Sequence, residues 1–178
     1  MNIENVFHSH KKLIIGGILI VLLLWFWSSS GDSDAGSSGS VPMSVEECEA
    51  SNMADLNQEF ANPNSDFYQK MAQCVEKLHK TVEVTSLKCT DFRIALRDGR
   101  SQVTDFGKDV AAASFVVVAT WDGFIHKGGS TAILVNINMI TEGVEVQVLR
   151  SSALITVTPE DLKKMGKWLL GAALKTII

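Results

Sequence analysis

The chain has no excess of basic residues and none of the short motifs that mark common catalytic or nucleotide-binding sites. Its 178 residues contain 16 Lys and Arg against 20 Asp and Glu, a formal net charge of −4 at pH 7. This balance argues against nucleic acid as a partner, because binding to phosphates requires a basic face. No phosphate-binding loop, Gly-x-Ser-x-Gly, His-Glu-x-x-His or Cys-x-x-Cys motif occurs. The sequence therefore predicts neither an enzyme nor a bound cofactor.

Long apolar runs are also scarce, and the one present lies near the N-terminus. Leu13 to Trp27 contains no charged or strongly polar residue. At about 1.5 Å per helical residue this run falls short of a hydrocarbon core of about 30 Å, but Ser28 to Ser30 can extend it. Lysines before the run and tryptophans at its end suit the two membrane interfaces, and these interface residues are Lys11, Lys12, Trp25 and Trp27. We expect an uncleaved single-pass transmembrane helix over 13–30, and the alternative is a cleaved signal peptide.

Both alternatives send the rest of the chain across the membrane. Positive residues precede the run and stay in the cytoplasm, so residues 1–12 are the expected cytoplasmic tail. Residues 31–43 are rich in Ser, Gly and Asp and read as a flexible tether. No asparagine begins an Asn-x-Ser/Thr acceptor, which favours a bacterial setting. The predicted location is the bacterial inner membrane with residues 44–178 in the periplasm, or a secreted or periplasmic protein if the run is cleaved.

Two amphipathic helices open the exported part. Ser44 and Glu47 have the spacing of a capping box, and Asn62-Pro63-Asn64 breaks the pattern. Apolar side chains recur at helical spacing on both sides of this break, at Val45, Cys48, Leu56 and Phe60 and then at Phe67, Met71, Cys74, Leu78 and Val82. The pattern predicts a helical hairpin.

The chain has only three cysteines. An antiparallel hairpin turning near Ala61 would place Cys48 beside Cys74, and disulfides persist in an exported domain. The two residues either form a disulfide or are small buried side chains. Cys89, in the next strand, would remain unpaired within the chain.

Strand-like alternation follows the helices. Thr81 to Leu96 changes phase twice, which predicts bulges in one long strand or two short strands. Further strands are expected over 111–125, over 131–139 and from 144 to about 157, with turns at Gly128-Gly129 and Glu142-Gly143. Thr158 and Pro159 then begin a C-terminal helix. The predicted class is α+β, with an antiparallel meander of three to five strands.

Few residues of the exported part are candidates for catalysis or metal binding. Asp122 and His126 could meet at a hairpin tip, but two ligands do not make a metal site, so an exposed hairpin end is the simpler interpretation. Asp91 and Arg93 are expected to form a solvated ion pair. His79, near the end of the second helix, is expected to complement the helix dipole. No metal, cofactor or catalytic residue is predicted.

In element order and membrane placement, the chain resembles the small bitopic subunits of bacterial envelope machines, whose exported domains are NTF2-like or cystatin-like. The resemblance implies a non-catalytic subunit or accessory factor of an envelope, secretion or conjugation assembly. Its partner would be another protein or a second copy of the chain. The last eleven residues are apolar nearly all round except for Lys175, and the last helix is the expected contact, through Trp168, Leu170, Leu174, Ile177 and Ile178. The alternatives are an immunity or inhibitor protein against an exported toxin, and a domain that binds a small apolar ligand.

Overall fold

The computed structural model describes residues 41–124 and 127–178. Several predicted features lie outside the described residues: the cytoplasmic tail, the anchor over 13–30 with its interface residues Lys11, Lys12, Trp25 and Trp27, and the part of the tether up to residue 40. No helix in the described part of the chain is long and apolar enough to cross a membrane.

The described residues form an α+β unit of four helices and four strands. In chain order the elements are α1 (Val45–Phe60), α2 (Asp66–His79), β1 (Val82–Leu96), α3 (Phe106–Asp109), β2 (Val110–Gly123), β3 (Gly129–Asn138), β4 (Gly143–Ser151) and α4 (Pro159–Ile177). The strands form one antiparallel sheet in the order β1-β2-β3-β4, so the predicted meander is confirmed.

Side-chain hydrogen bonds cap the N-termini of α1 and α4 at the predicted residues. Ser44 accepts from the backbone of Glu47 at 3.2 Å, and Glu47 accepts in return from the backbone of Ser44 at 3.0 Å. Thr158 and Asp161 form a second capping box at the start of α4. Such reciprocal bonds satisfy amide groups that have no partner within the helix. Helix α2 ends at His79, and the next residue, Lys80, has a φ of 60°, the left-handed conformation common after a helix.

The core lies between the sheet and one layer of helices. Alternate side chains of β2 and β3 are buried in it, including Phe115, Trp121, Ile133 and Val135. Helix α1 packs mainly on β1, α4 mainly on β4, and α2 on both α4 and β1. Helices α1 and α2 meet near their connection, where the Phe60 and Phe67 rings lie 5.2 Å apart.

Two element bounds differ from the sequence prediction. The last strand was expected to reach about Val157, but β4 ends at Ser151. Its partner β3 begins at Gly129, so the residues after Ser151 have no strand to pair with. The chain instead turns towards α2, where Thr156 donates its backbone N–H to the carbonyl of Leu78 at 3.2 Å. The short helix α3, which Asp105 caps, lies between β1 and β2, where no helix was predicted. The predicted irregularities in β1 are confirmed, with shifts between Val84 and Ser86 and between Cys89 and Asp91.

Candidate interaction site along strand β4

The two edges of the sheet differ in whether side chains of α1 hydrogen-bond to the outward backbone groups of the edge strand. On the β1 edge, the Asn57 side chain of α1 pairs with the backbone of Cys89, donating to its carbonyl at 3.1 Å and accepting from its N–H at 2.9 Å. Glu49, also on α1, accepts from the N–H of Ile94 at 3.0 Å. Two side chains of α1 therefore take the place of a neighbouring strand, and edge groups capped in this way are not available to another chain.

Strand β4 forms the opposite edge and has no such cap. Within the described part of the chain, only β3 hydrogen-bonds the backbone of residues 144–150. A groove of about 490 Å³ runs along this edge between β4 and the start of α4. Pro159, Leu162 and Lys163 line its helix side, and Val144 to Gln147 line its strand side. An edge strand beside an open groove is the geometry that receives an added strand.

The face of the sheet turned away from the helices carries a second, shallower groove of about 590 Å³. One polar row crosses it from edge to edge, because the strand register aligns Arg93, Ser114, Asn136 and Glu145. The next row, Ala95, Ala112, Asn138 and Gly143, is formed mostly by small residues. Val144 and Glu145 line both grooves. The two grooves therefore meet at β4, and we call their joint lining the β4 surface.

The charges at the two ends of the polar row are not equivalent. Arg93 is held by two carboxylates, Asp91 at 3.0 Å and Glu49 at 3.2 Å. The predicted ion pair between Asp91 and Arg93 is thus confirmed, and it is solvated, with 49 % and 67 % of the two side chains exposed. Glu145, at the β4 end, is exposed and forms no ion pair among the described residues. The β4 end therefore retains a charge that a partner can use.

His79 has the expected structural role but not the expected physical reason. Its Nδ1 lies 3.3 Å from the carbonyl oxygen of Leu154, and its Nε2 lies 2.8 Å from Oγ1 of Thr131. A carbonyl only accepts, so Nδ1 carries the proton and Nε2 accepts from the threonine. Burial lowers the pKa of His79. The ring is therefore neutral at pH 7 and does not complement the helix dipole as a cation.

Thr131 is the centre of this buried network. Its hydroxyl donates to His79 and accepts from the indole N–H of Trp121 at 3.0 Å. Ser151 lies 3.2 Å from the same oxygen. The imidazole also lies against the indole, with ring centroids 4.9 Å apart. The network joins α2, β2, β3 and the end of β4, so it fixes the position of the edge strand.

The residues predicted at the hairpin tip are only partly described. Asp122 accepts from the backbone N–H of Gly128 at 2.8 Å, so its carboxylate closes the turn. His126 lies outside the described residues. Over 41–124 and 127–178, no group of three or more His, Cys, Asp and Glu side chains could hold a metal ion.

The three cysteines are buried free thiols. In this structure Cys48 and Cys74 correspond to the second alternative, small buried side chains, and α1 packs mainly along β1 and meets α2 only near their connection. Burial raises the pKa of Cys74 to about 12 and that of Cys89 to about 11. Burial also raises the pKa of Cys48. Thiols with such pKa values are almost entirely protonated at neutral pH and are poor nucleophiles.

The predicted contact residues of the last helix are split between buried and exposed positions. Ile177 is buried in the core, and Leu170 and Leu174 are half-buried against it. Trp168 and Ile178 remain 38 % and 68 % exposed. Of the five predicted contact residues, only Trp168 and Ile178 are therefore exposed.

Comparisons of the chain with protein-family models, with curated proteins and with solved structures find no match. The β4 surface was not predicted from the sequence. Its only sequence signal is the meander itself, because a four-stranded meander places its first and last strands at the edges, and Asn57 and Glu49 protect only the first.

Proposed function

We propose that the protein is a non-catalytic, membrane-anchored interaction protein of the bacterial envelope, and that an extended segment of a partner protein adds to β4. The observation that supports this proposal is the contrast between the two sheet edges. One is capped by Asn57 and Glu49, and the other borders an open groove. Exposed edges promote uncontrolled pairing and are usually blocked, so an edge left uncapped beside a groove suits a regulated partner.

The groove specifies the chemistry of the added strand. Successive side chains of a strand point to opposite faces. One set would enter the groove against Pro159 and Leu162, which favours apolar residues, with Lys163 at the rim favouring an acidic neighbour. The other set would lie beside Glu145 and Gln147 on the open face, which favours polar or basic residues. The expected partner segment therefore alternates apolar and polar residues.

The anchor over 13–30, the periplasmic location and an NTF2-like or cystatin-like arrangement remain parts of this proposal. The partner would be a component of a secretion, conjugation or related envelope assembly. A toxin captured on β4 would instead identify an immunity or inhibitor protein. Both use the same edge, so the identity of the bound protein separates them.

Site-specific photocrosslinking in intact cells tests the proposal. A photoreactive amino acid replaces Gln147 on β4, and a matched variant carries it at Lys88 on β1. Both positions are exposed, and their strand pairing places them on the same face at opposite edges. We expect a discrete adduct from Gln147 and none from Lys88. Equal adducts from both positions, or an adduct from Lys88 alone, would contradict a docking site on β4.

A further inference from the structure

One face of the helical layer combines lysines with an exposed tryptophan. On α4, Lys164, Trp168, Gly171 and Lys175 are spaced so that they share one side of the helix, and all four are exposed. On α2, the ammonium group of Lys77 lies 4.8 Å from the centroid of the Trp168 ring, and that of Lys70 lies 6.0 Å from it. We call this surface, Lys70, Lys77, Lys164, Trp168 and Lys175, the lysine–tryptophan face.

Acidic residues offset only part of this positive charge. Asp66 pairs with Lys70 at 2.9 Å, and the exposed Glu160 lies one turn before Lys164. Glu76 is half-buried beside Lys77. No ion pair involves Lys77, Lys164 or Lys175 among the described residues. Asp161 interacts electrostatically with Lys164 without forming an ion pair. These three ammonium groups are therefore not neutralised by a paired carboxylate, in a chain whose net charge is −4.

Trp168 is suited to the same environment. Amphipathic aromatic rings favour the headgroup region of a bilayer, and lysines near such a surface are attracted to anionic lipids. The lysines beside the ring hold it by cation–π contacts. Ring and ammonium groups can thus enter a headgroup layer together without rearrangement of the core.

The start of the described chain lies at the end of the same helix. Val41 and Met43 line a groove with Thr176, Ile177 and Ile178. The first described residues therefore lie beside the C-terminal end of α4. In chain order, the membrane anchor of the proposed function precedes this end of the helix.

We infer that the lysine–tryptophan face docks the domain onto an anionic phospholipid bilayer, leaving β4 accessible to its partner. The choice of a bilayer over an acidic protein rests on the membrane anchor in the proposed function. Each lysine near an anionic surface is expected to change the docked-to-undocked ratio about fivefold. Two lysines are therefore expected to change it about 25-fold.

The test uses the full-length chain in lipid nanodiscs, with a fluorophore on Gly171→Cys and a quencher on the lipid chains. A Cβ at Gly171 has no heavy atom within 4 Å, so the position accepts a probe. The three native cysteines are buried and remain unlabelled. Nanodiscs contain phosphatidylcholine alone or phosphatidylcholine and phosphatidylglycerol in equal amounts. A matched probe on Lys88→Cys reports from the opposite side of the sheet.

We expect quenching of the Gly171→Cys probe with phosphatidylglycerol, much less with phosphatidylcholine alone, and none of the Lys88→Cys probe. Lys164→Gln combined with Lys175→Gln should lower the docked-to-undocked ratio about 25-fold. Lys88→Gln combined with Arg150→Gln makes the same change in net charge elsewhere and should leave the ratio unchanged. Equal quenching in both lipids, or an equal loss with the two charge-matched pairs, would overturn the inference.

Two further results separate this inference from the proposed function. Loss of the Gln147 photoadduct in the Lys164→Gln, Lys175→Gln variant, together with no lipid quenching in the parent chain, would assign the face to an acidic protein and overturn bilayer docking. Release of the chain from membranes by alkaline carbonate would refute the anchor alone. The labelled chain added to vesicles of the same two compositions would then still report whether the face binds anionic lipid.

Discussion

Replacing Thr131 by valine should destabilise the fold far more than its small change in shape suggests. The hydroxyl is fully buried, accepts from Trp121 and donates to His79. Valine would leave both groups without this partner, and a buried unsatisfied group costs about 1–3 kcal/mol. Ser151 lies 3.4 Å from Nε2 of His79 and can replace part of one bond. We therefore expect a loss of about 2–4 kcal/mol in the free energy of unfolding.

Urea unfolding of the full-length chain in detergent, followed by circular dichroism, measures this loss. Thr131→Ser is the matched control, because it keeps the hydroxyl and removes one methyl group, at about 1 kcal/mol. His79 adds a dependence on pH: its pKa is lowered in the fold, so its neutral form stabilises the protein above the unfolded pKa of about 6.5, and this contribution is lost as pH falls. Equal stability of the valine and serine variants would refute the network's role.

A Cβ at Gly129 would lie 2.3 Å from the Trp121 ring, so Gly129→Ala should cost roughly 3 kcal/mol in a denaturation experiment, whereas Gly171→Ala should add up to about 1 kcal/mol. Hydrogen bonds from Thr104 and Asp105 lower the pKa of Asp109 to about 2. The Asp109 carboxylate therefore contributes to stability above about pH 4, and this contribution is lost as the pH falls towards 2. Unfolding midpoints across this range should fall less steeply for Asp109→Asn than for the parent. Thiol titration of protein purified without reductant should find three free cysteines after denaturation and almost none before.

Each of these predictions has a contradicting result. Wild-type stability of Gly129→Ala would show that Trp121 does not lie over that glycine. If the unfolding midpoints of Asp109→Asn and the parent fall equally as the pH is lowered from 4 to 2, the Asp109 carboxylate does not contribute to acid stability. A single free thiol after denaturation would restore the predicted disulfide between Cys48 and Cys74.

Local sequence patterns predicted the helices and strands, but not the side-chain contacts between them. The caps at Ser44 and Thr158 and the alternation in the strands involve residues a few positions apart, so they can be read from the sequence. The partners of His79 lie 52 and 75 positions along the chain. Nothing near His79 distinguishes a neutral buried ring from a cation at a helix end.

The candidate site was missed for the same reason. Asn57 fell outside the apolar pattern of α1, and its bond to Cys89 spans 32 positions. The apolar surface of α4 was interpreted as a contact for a partner, but much of it packs in the core of the domain itself. Hydrophobic periodicity shows which side chains are buried, not whether the surface that buries them belongs to the same chain.

Residue-resolved amide hydrogen exchange, on the full-length chain alone and with the partner captured at Gln147, tests the docking site most directly. In the free protein, the amides of Cys89 and Ile94 should be protected by their side-chain caps, and Asn57→Ala should release that of Cys89. The outward amides of β4 should exchange quickly. On binding, we expect the outward β4 amides within 144–148 to slow at least tenfold while those of β1 stay unchanged. Protection confined to β1 or to the loops, with β4 unaffected, would contradict strand addition at β4.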